Sequence, residues 1–292
     1  METIFGGSSC QTLAKEVADE LNLELGRLTI RRFPDGERYV RIESDVKGKG
    51  CAVIQSTCYP QDSNLVELLA IIETLKDLGA KEVTTVVPYY GYGRQDKSFT
   101  PGEAVSSRMI AKHIGLHSDS FFTVNIHEEK ILKFFKIPAV NLDASQALAE
   151  YFKTYEMEAP VVIAPDDGSL KLAENVAKSL NCPFDHLEKH RLGPGQVEMK
   201  PKAVDAAGKD IILVDDIIDS GNTMLEAVKF LRTQKASNLL IGCVHPVLTG
   251  NVVTRLFATG AVDVVATDTI PSQIGFITVS SIIANALDKG EE

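Results

Sequence analysis

Two adjacent carboxylates, Asp215 and Asp216, end the apolar run IILV, and Asp219, Ser220, Gly221, Asn222 and Thr223 follow before MLEAVKFLR. Residues of these types at this spacing can hold a phosphorylated ligand. Gly221 lets the backbone approach closely, Ser220 and Thr223 offer hydroxyls, and a helix opening here presents unpaired N–H groups under a partial positive charge. Carboxylates repel a phosphate, so Asp215 and Asp216 are read as facing sugar hydroxyls, or a magnesium ion that a nucleotide brings along. The elements that position them are a strand, a turn and a helix, because IILV favours a strand and the apolar residues beyond Thr223 recur at helical spacing. Thr223 with Glu226 also reads as a capping box. Strand, paired Asp and hydroxyl–glycine turn together favour the phosphate reading over an ordinary βα turn with a solvated acidic cap.

Other stretches carry weaker signals. In RRFPDGER, Pro34, Asp35 and Gly36 suit a hairpin tip between strands at Leu28–Arg32 and Tyr39–Ile42. A plain tip accounts for the pattern, although Phe33 beside Asp35 and Glu37 is also an aromatic face next to two acceptors, able to stack on a nucleobase and bond its amino group. GYGRQDKS lacks the glycine that a P-loop or a dinucleotide fingerprint needs where Asp96 stands, so both are excluded. Arg94, Gln95, Asp96 and Lys97 instead form a polar cluster at the end of a buried strand, where ligands of open α/β sheets bind; a solvated loop accounts for it equally. NIHEEKI fails as a zinc-protease motif because Ile131 replaces the second histidine, which leaves His127 as a single candidate metal ligand. PDDGS places Asp166 at another strand end. If LEKHRLGPGQ is extended, Lys189 and Arg191 project from one face, and Gly193, Pro194 and Gly195 suggest a mobile lid.

The chain has 292 residues, enough for two domains of ordinary size. With 40 acidic against 30 basic residues, its net charge of −10 argues against a nucleic-acid or anionic-membrane surface. The start METIFGGSSC lacks signal-peptide regions, and a cytoplasmic protein is expected. Five cysteines without a CxxC pair point to buried thiols. Ser8 and Ser9 are expected to cap a first helix, and Asp62, Ser63 or Asn64 a second. GKGCAVIQS aligns with GKDIILVDD, and LKDLGAKEV with LRTQKASNL, which suggests two copies of one α/β fold. In that alignment Gln55 and Ser56 take the places of Asp215 and Asp216. The boundary is set near Asp143, giving domains 1–143 and 144–292.

The stretch VDDIIDSGNT resembles the phosphoribosyl-pyrophosphate motif of the phosphoribosyltransferase fold. Joined to FPDGE, YGRQDK, His127, PDDG and Lys189-His190-Arg191, it resembles the ribose-phosphate pyrophosphokinase family over nearly the whole chain. The resemblance implies an α/β protein of two similar phosphoribosyltransferase-type domains, each a mainly parallel sheet flanked by helices. It further implies transfer of the β,γ-diphosphoryl group of Mg2+-ATP to ribose 5-phosphate. Family roles would put ATP against Phe33, Asp35, Gly36, Glu37, Arg94, Gln95 and Asp96, and magnesium near His127 and Asp166. Ribose 5-phosphate would meet Asp215, Asp216, Asp219, Ser220, Gly221, Asn222, Thr223 and Arg191, with Lys189 and Arg191 catalytic. Self-association would share each active site between subunits.

The chain departs from many members at Asn125, Lys136 and Val140, where they carry acidic residues, which bears on a regulatory phosphate or second metal site. A phosphoribosyltransferase would share the acidic loop but needs neither FPDGE nor RQDK. A non-catalytic relative would be expected to lose Lys189 or Arg191.

Overall fold

The computed structural model describes residues 1–193, 196–200 and 205–289, apart from the side chains of 188–200 and 289. The chain forms two units, one of Met1–Asp143 with Thr269–Pro271 and the segment from Thr278, the other of Ala144–Asp268 with Ser272–Ile277.

The first unit runs β1 (Thr3–Gly6), α1 (Gln11–Leu21), β2 (Glu24–Leu25), β3 (Leu28–Arg32), β4 (Arg38–Ile42), β5 (Gly50–Ile54), α2 (Gln61–Asp77), β6 (Glu82–Val87), α3 (Ser106–His117), β7 (Ser120–Val124) and β8 (Ala139–Leu142). Its sheet has the order β2-β1-β5-β6-β7-β8, with every pair parallel, and β3-β4 is a separate antiparallel hairpin. Cys51, Ala52, Val53 and Ile54 of β5 are all at 0% exposure, as a parallel strand covered on both faces requires. On α2, Leu68, Ile71, Ile72 and Leu75 recur at helical spacing and form the buried stripe against that sheet.

The second unit runs α4 (Ser145–Phe152), β9 (Val161–Ala164), α5 (Leu170–Leu180), β10 (Phe184–His186), β11 (Glu188–Gly193), β12 (Gln196–Lys200), β13 (Ile211–Ile218), α6 (Asn222–Thr233), β14 (Leu239–Pro246), α7 (Val252–Thr259), β15 (Asp263–Thr267) and β16 (Gly275–Ile277). Its parallel sheet has the order β10-β9-β13-β14-β15-β16, the same path as in the first unit. Registers coincide as well. Cys51 faces Thr3 and Val83, while Ile211 faces Val161 and Leu239. Counting outward from these pairs, Gln55 and Ser56 stand where Asp215 and Asp216 stand. Helices α1 and α5 even share a length of 11 residues and a left-handed asparagine cap, Asn22 and Asn181, each at φ 52°.

Several local expectations change. The final helix, α8 (Ser280–Lys289), belongs with the first unit, so 144–292 is not one body. Thr278 Oγ1 donates to Glu16 at 2.7 Å and Ser280 Oγ to Glu20, which ties α8 to α1. Helix α1 starts after Cys10 and α2 after Pro60, neither with a side-chain cap. Ser8 and Ser9 turn to Glu67 and Gln55 instead, because those buried groups need donors. The edge strands β2, β8, β10 and β16 add two to four residues each to the expected sheets.

Candidate active site

Strand β13 delivers Asp215 and Asp216 to the carboxyl end of the second sheet, after Ile211, Ile212, Leu213 and Val214, all at 0% exposure. Asp215 Oδ1 accepts the Ser169 hydroxyl and, at 2.9 Å, the Asp216 N–H. Loss of water on burial, then the charge of Asp216, with Asp166 adding to it, pushes the Asp215 carboxyl well above its usual range; the Ser169 bond pulls the other way. Asp166 sits one turn off β9, where its Oδ1 accepts the Gly168 N–H at 3.0 Å. Acidic oxygens of three residues therefore gather at one sheet end.

The turn Asp219–Thr223 is braced from outside. Gly221 takes φ +70° at the N-cap of α6, and a Cβ added there would stand 2.0 Å from Val252 Cγ2, so glycine is required on both counts. Thr249 Oγ1 donates to Asp219 Oδ1 at 2.9 Å, and Arg255 Nη2 donates to Asn222 Oδ1 at 3.2 Å. Arg255 adds a cation beside a helix N-terminus that already favours an anion. The expected capping box is not formed, since α6 begins one residue earlier than Thr223 and has no side-chain cap. Glu226 pairs with Lys229 at 2.7 Å instead. Lys189 and Arg191 lie on β11, opposite Met199 and Val197 of β12. Their side chains lie outside the described residues, as do Pro194 and Gly195 of the expected lid.

In the first unit, the β3–β4 hairpin presents Phe33, Asp35, Gly36 and Glu37 at its tip. The Phe33 N–H bonds the Glu37 carbonyl at 2.9 Å, and the Glu37 N–H bonds Asp35 Oδ1 at 3.2 Å. Phe33 is 42% exposed; its ring meets Tyr39 edge-on at 5.7 Å, while Arg31 lies 4.3 Å from the centre of the Tyr39 ring. The tip thus offers an aromatic face held by its neighbours. At the end of β6, Arg94 is exposed, and the Gln95 carbonyl is fixed by Ser107 Oγ at 3.0 Å. Asp96 turns inward to Lys130. Burial works to raise the Asp96 carboxyl, but Lys130, the Asp96 backbone N–H and Lys97 together hold the group below its usual range. The same loop runs against exposed His127, for a Cβ on Gly93 would stand 3.8 Å from His127 Cβ.

Among the described residues, no set of three or more His, Cys, Asp or Glu is arranged to hold a metal by protein donors alone. Of the two residues expected to hold magnesium, Asp166 offers a carboxylate oxygen, a donor that ion takes when water and ligand phosphates complete its shell, and His127 is an exposed imidazole, so the residues present fit that ion. Thr249 and Arg255 join this site only through tertiary contacts, and nothing in their local sequence signals it, whereas Ser169 directly follows the PDDG motif.

Residues 2–116 match the family model for the N-terminal domain of ribose phosphate pyrophosphokinase, and residues 131–270 match that for the phosphoribosyl transferase domain. A ribose-phosphate pyrophosphokinase of Methanobrevibacter smithii is 42% identical, covering 97% of this chain and 99% of its own. That of Methanosarcina acetivorans is 43% identical, covering 98% and 99%. The crystal structure of phosphoribosylpyrophosphate synthetase from Mycobacterium smegmatis superposes with a TM-score of 0.89 at 31% identity, covering 100% of this chain and 99% of that one. With both family models matched in order and relatives alike from end to end, the chain belongs to the ribose-phosphate pyrophosphokinase family.

Proposed function

We propose that the chain transfers the β,γ-diphosphoryl group of ATP to the C1 hydroxyl of ribose 5-phosphate, giving 5-phosphoribosyl 1-diphosphate and AMP. The observation that carries this is the pairing of unlike ends on like scaffolds. The second unit carries an acidic pair in the last half of strand β13 and a glycine–hydroxyl turn after it, whereas the first carries the FPDGE hairpin within a domain matched to this family. A phosphoribosyltransferase accounts for the second unit alone.

In this reading the sugar 5-phosphate is held by Asp219, Ser220, Gly221, Asn222 and Thr223, with the α6 N-terminus and Arg255 supplying positive charge. Asp215 and Asp216 take the ribose hydroxyls, with Arg191 alongside. Phe33, Asp35, Gly36 and Glu37 receive the adenine, and Arg94, Gln95 and Asp96 the phosphates; with Asp96 drawn to Lys130, its part is to hold the loop that bears Arg94. The C1 oxygen attacks the β-phosphorus, the bond from that phosphorus to the α–β bridging oxygen breaks, and AMP leaves with the bridging oxygen. Lys189 and Arg191 stabilise charge growing on the bridging and equatorial oxygens. His127 and Asp166 are the residues that would hold magnesium, which would neutralise phosphate charge.

The same reading makes the protein cytoplasmic and self-associating, with each site completed by a second subunit. Among the described residues, no helix is long and apolar enough to cross a membrane. Phosphorus NMR of the chain with ribose 5-phosphate and magnesium-ATP tests the activity. AMP and the new diphosphate are expected together; accumulation of ADP would show single phosphoryl transfer and overturn it.

A further inference from the structure

We infer that Glu67 is a positioning residue for nucleotide binding, acting through Arg38 on the Phe33–Glu37 hairpin. The inference rests on the nucleotide role of that hairpin. Glu67 lies on α2 at 0% exposure, where an unpaired carboxylate would be costly. Both of its oxygens are fully used. Oε1 accepts the Ser8 N–H at 2.7 Å and Gln55 Nε2 at 2.9 Å, and Oε2 accepts Ser8 Oγ at 2.9 Å and forms an ion pair with Arg38 Nη1 at 3.2 Å. Three of those donors come from the body of the unit; the fourth comes from the hairpin. Glu67 is therefore a buried anion anchored in the scaffold, with its remaining valence turned outward to one guanidinium.

Arg38 directly follows Glu37 and opens β4. Its side chain is only 13% exposed, and its Nε donates to Ser63 Oγ at 2.9 Å, one helical turn before Glu67 on the same face of α2. The cross-strand partner of Arg38 is Arg32, which donates to the same Ser63 oxygen at 2.7 Å and to the Gly36 carbonyl at 2.9 Å. The two arginines that flank the tip are thus pinned to α2, and one of them also ties down the tip itself. Leu28, Ile30, Val40 and Ile42 pack the base of the hairpin on the core, while at its outer end, beside Phe33 and Glu37, the two arginines tie it to α2. Arg38 holds its place by an ion pair with a buried carboxylate and by its bond to Ser63.

Two variants test this. Glu67→Gln keeps the shape but removes the charge, and Arg38→Gln breaks the same contact from its outer end without touching the buried cluster. Each is expected to raise KM for ATP by roughly 10-fold or more, with KM for ribose 5-phosphate within about two-fold of the parent. Amide hydrogen exchange supplies a second readout that does not depend on turnover. Faster exchange is expected at Phe33, Gly36 and Glu37, with β1 and β5 still protected. If both KM values stay unchanged and the hairpin stays protected in Arg38→Gln, the inference is wrong. Protection lost throughout β1, β5 and α2 in Glu67→Gln, beside an unaltered Arg38→Gln, would make Glu67 a purely structural residue and also overturn it. Should the parent protein itself show no ATP turnover, the nucleotide reading of the hairpin fails instead, a different result from parental turnover with unresponsive variants.

Discussion

Gln55 and Asp215 occupy one position in two sheets of the same order and register, and each accepts a bond from a serine on the turn beyond the neighbouring strand. Ser9 Oγ reaches Gln55 Oε1 at 2.7 Å, and Ser169 Oγ reaches Asp215 Oδ1. The scaffold contact is kept while the chemistry diverges, an amide standing in one unit where the other has a carboxylate. The amide nitrogen of Gln55 is committed to Glu67, so the first unit carries a buried anion of its own where a sugar phosphate would need free donors. One ribose 5-phosphate per chain is the expected binding stoichiometry. Titration calorimetry with ribose 5-phosphate checks it, and two equivalent sites per chain would contradict it.

Asp215→Asn is expected to abolish turnover while stabilising the ligand-free protein at high pH. A carboxyl whose folded pKa lies above its unfolded value near 4 favours the folded state fully below that value, and the advantage is lost as pH rises through the folded pKa. Replacing it should raise Tm at pH 8 by roughly 2–4 °C, the response to about 1 kcal/mol in a protein of this size, with the gain shrinking toward pH 4. Thermal melts without divalent metal across that range are the check; a lower Tm at pH 8 contradicts it.

Lys189→Ala and Arg191→Ala should each lower kcat by roughly 100-fold or more, with smaller changes in KM, because charge on the transferring oxygens is greatest in the transition state. Steady-state kinetics separate this from a binding role, which would appear in KM alone.

The Asp219–Thr223 turn predicts two different failures. Asp219→Ala should mainly raise KM for ribose 5-phosphate. Gly221→Ala drives a methyl toward Val252 at φ +70° and should in addition lower stability, by about 1–3 kcal/mol, visible in denaturant unfolding. Equal stability of the two variants would mean the turn can shift away from Val252.

Subunit mixing checks the shared site. Phe33→Ala with Glu37→Ala in one chain, and Lys189→Ala in another, should each be nearly inactive alone. Reassociated together, mixed dimers place both lesions in one site and none in the other, returning roughly a quarter of parental activity if subunits pair at random. Continued inactivity in proven mixed dimers would place every site within one chain.

What could be read from sequence was what neighbouring residues decide. The strand–turn–helix at Ile211–Thr223 and the duplicated α/β pattern are local and periodic, and both stand in the fold. Edge strands such as Glu24–Leu25 are too short for a period to emerge. Capping by Ser8, Ser9 and Thr223 is what local sequence favours, but the serines bond partners far along the chain, Glu67 being 59 residues beyond Ser8. Arg255 approaches the Asp219–Thr223 turn from a helix that shares no motif with it. Such contacts exist only once the sheets have formed.

The docking of α8 on α1 sets an order of events on the ribosome. A domain that is continuous in sequence can close as soon as it emerges, but here the N-terminal unit waits for a helix starting at Ser280, made after the whole of the other unit. At about 5–20 residues per second, the stretch from Asp143 to Ser280 takes on the order of 7–27 s. Throughout it, Glu16 and Glu20 lack the hydroxyls that later reach them, and the second unit, encoded later, is free to finish first.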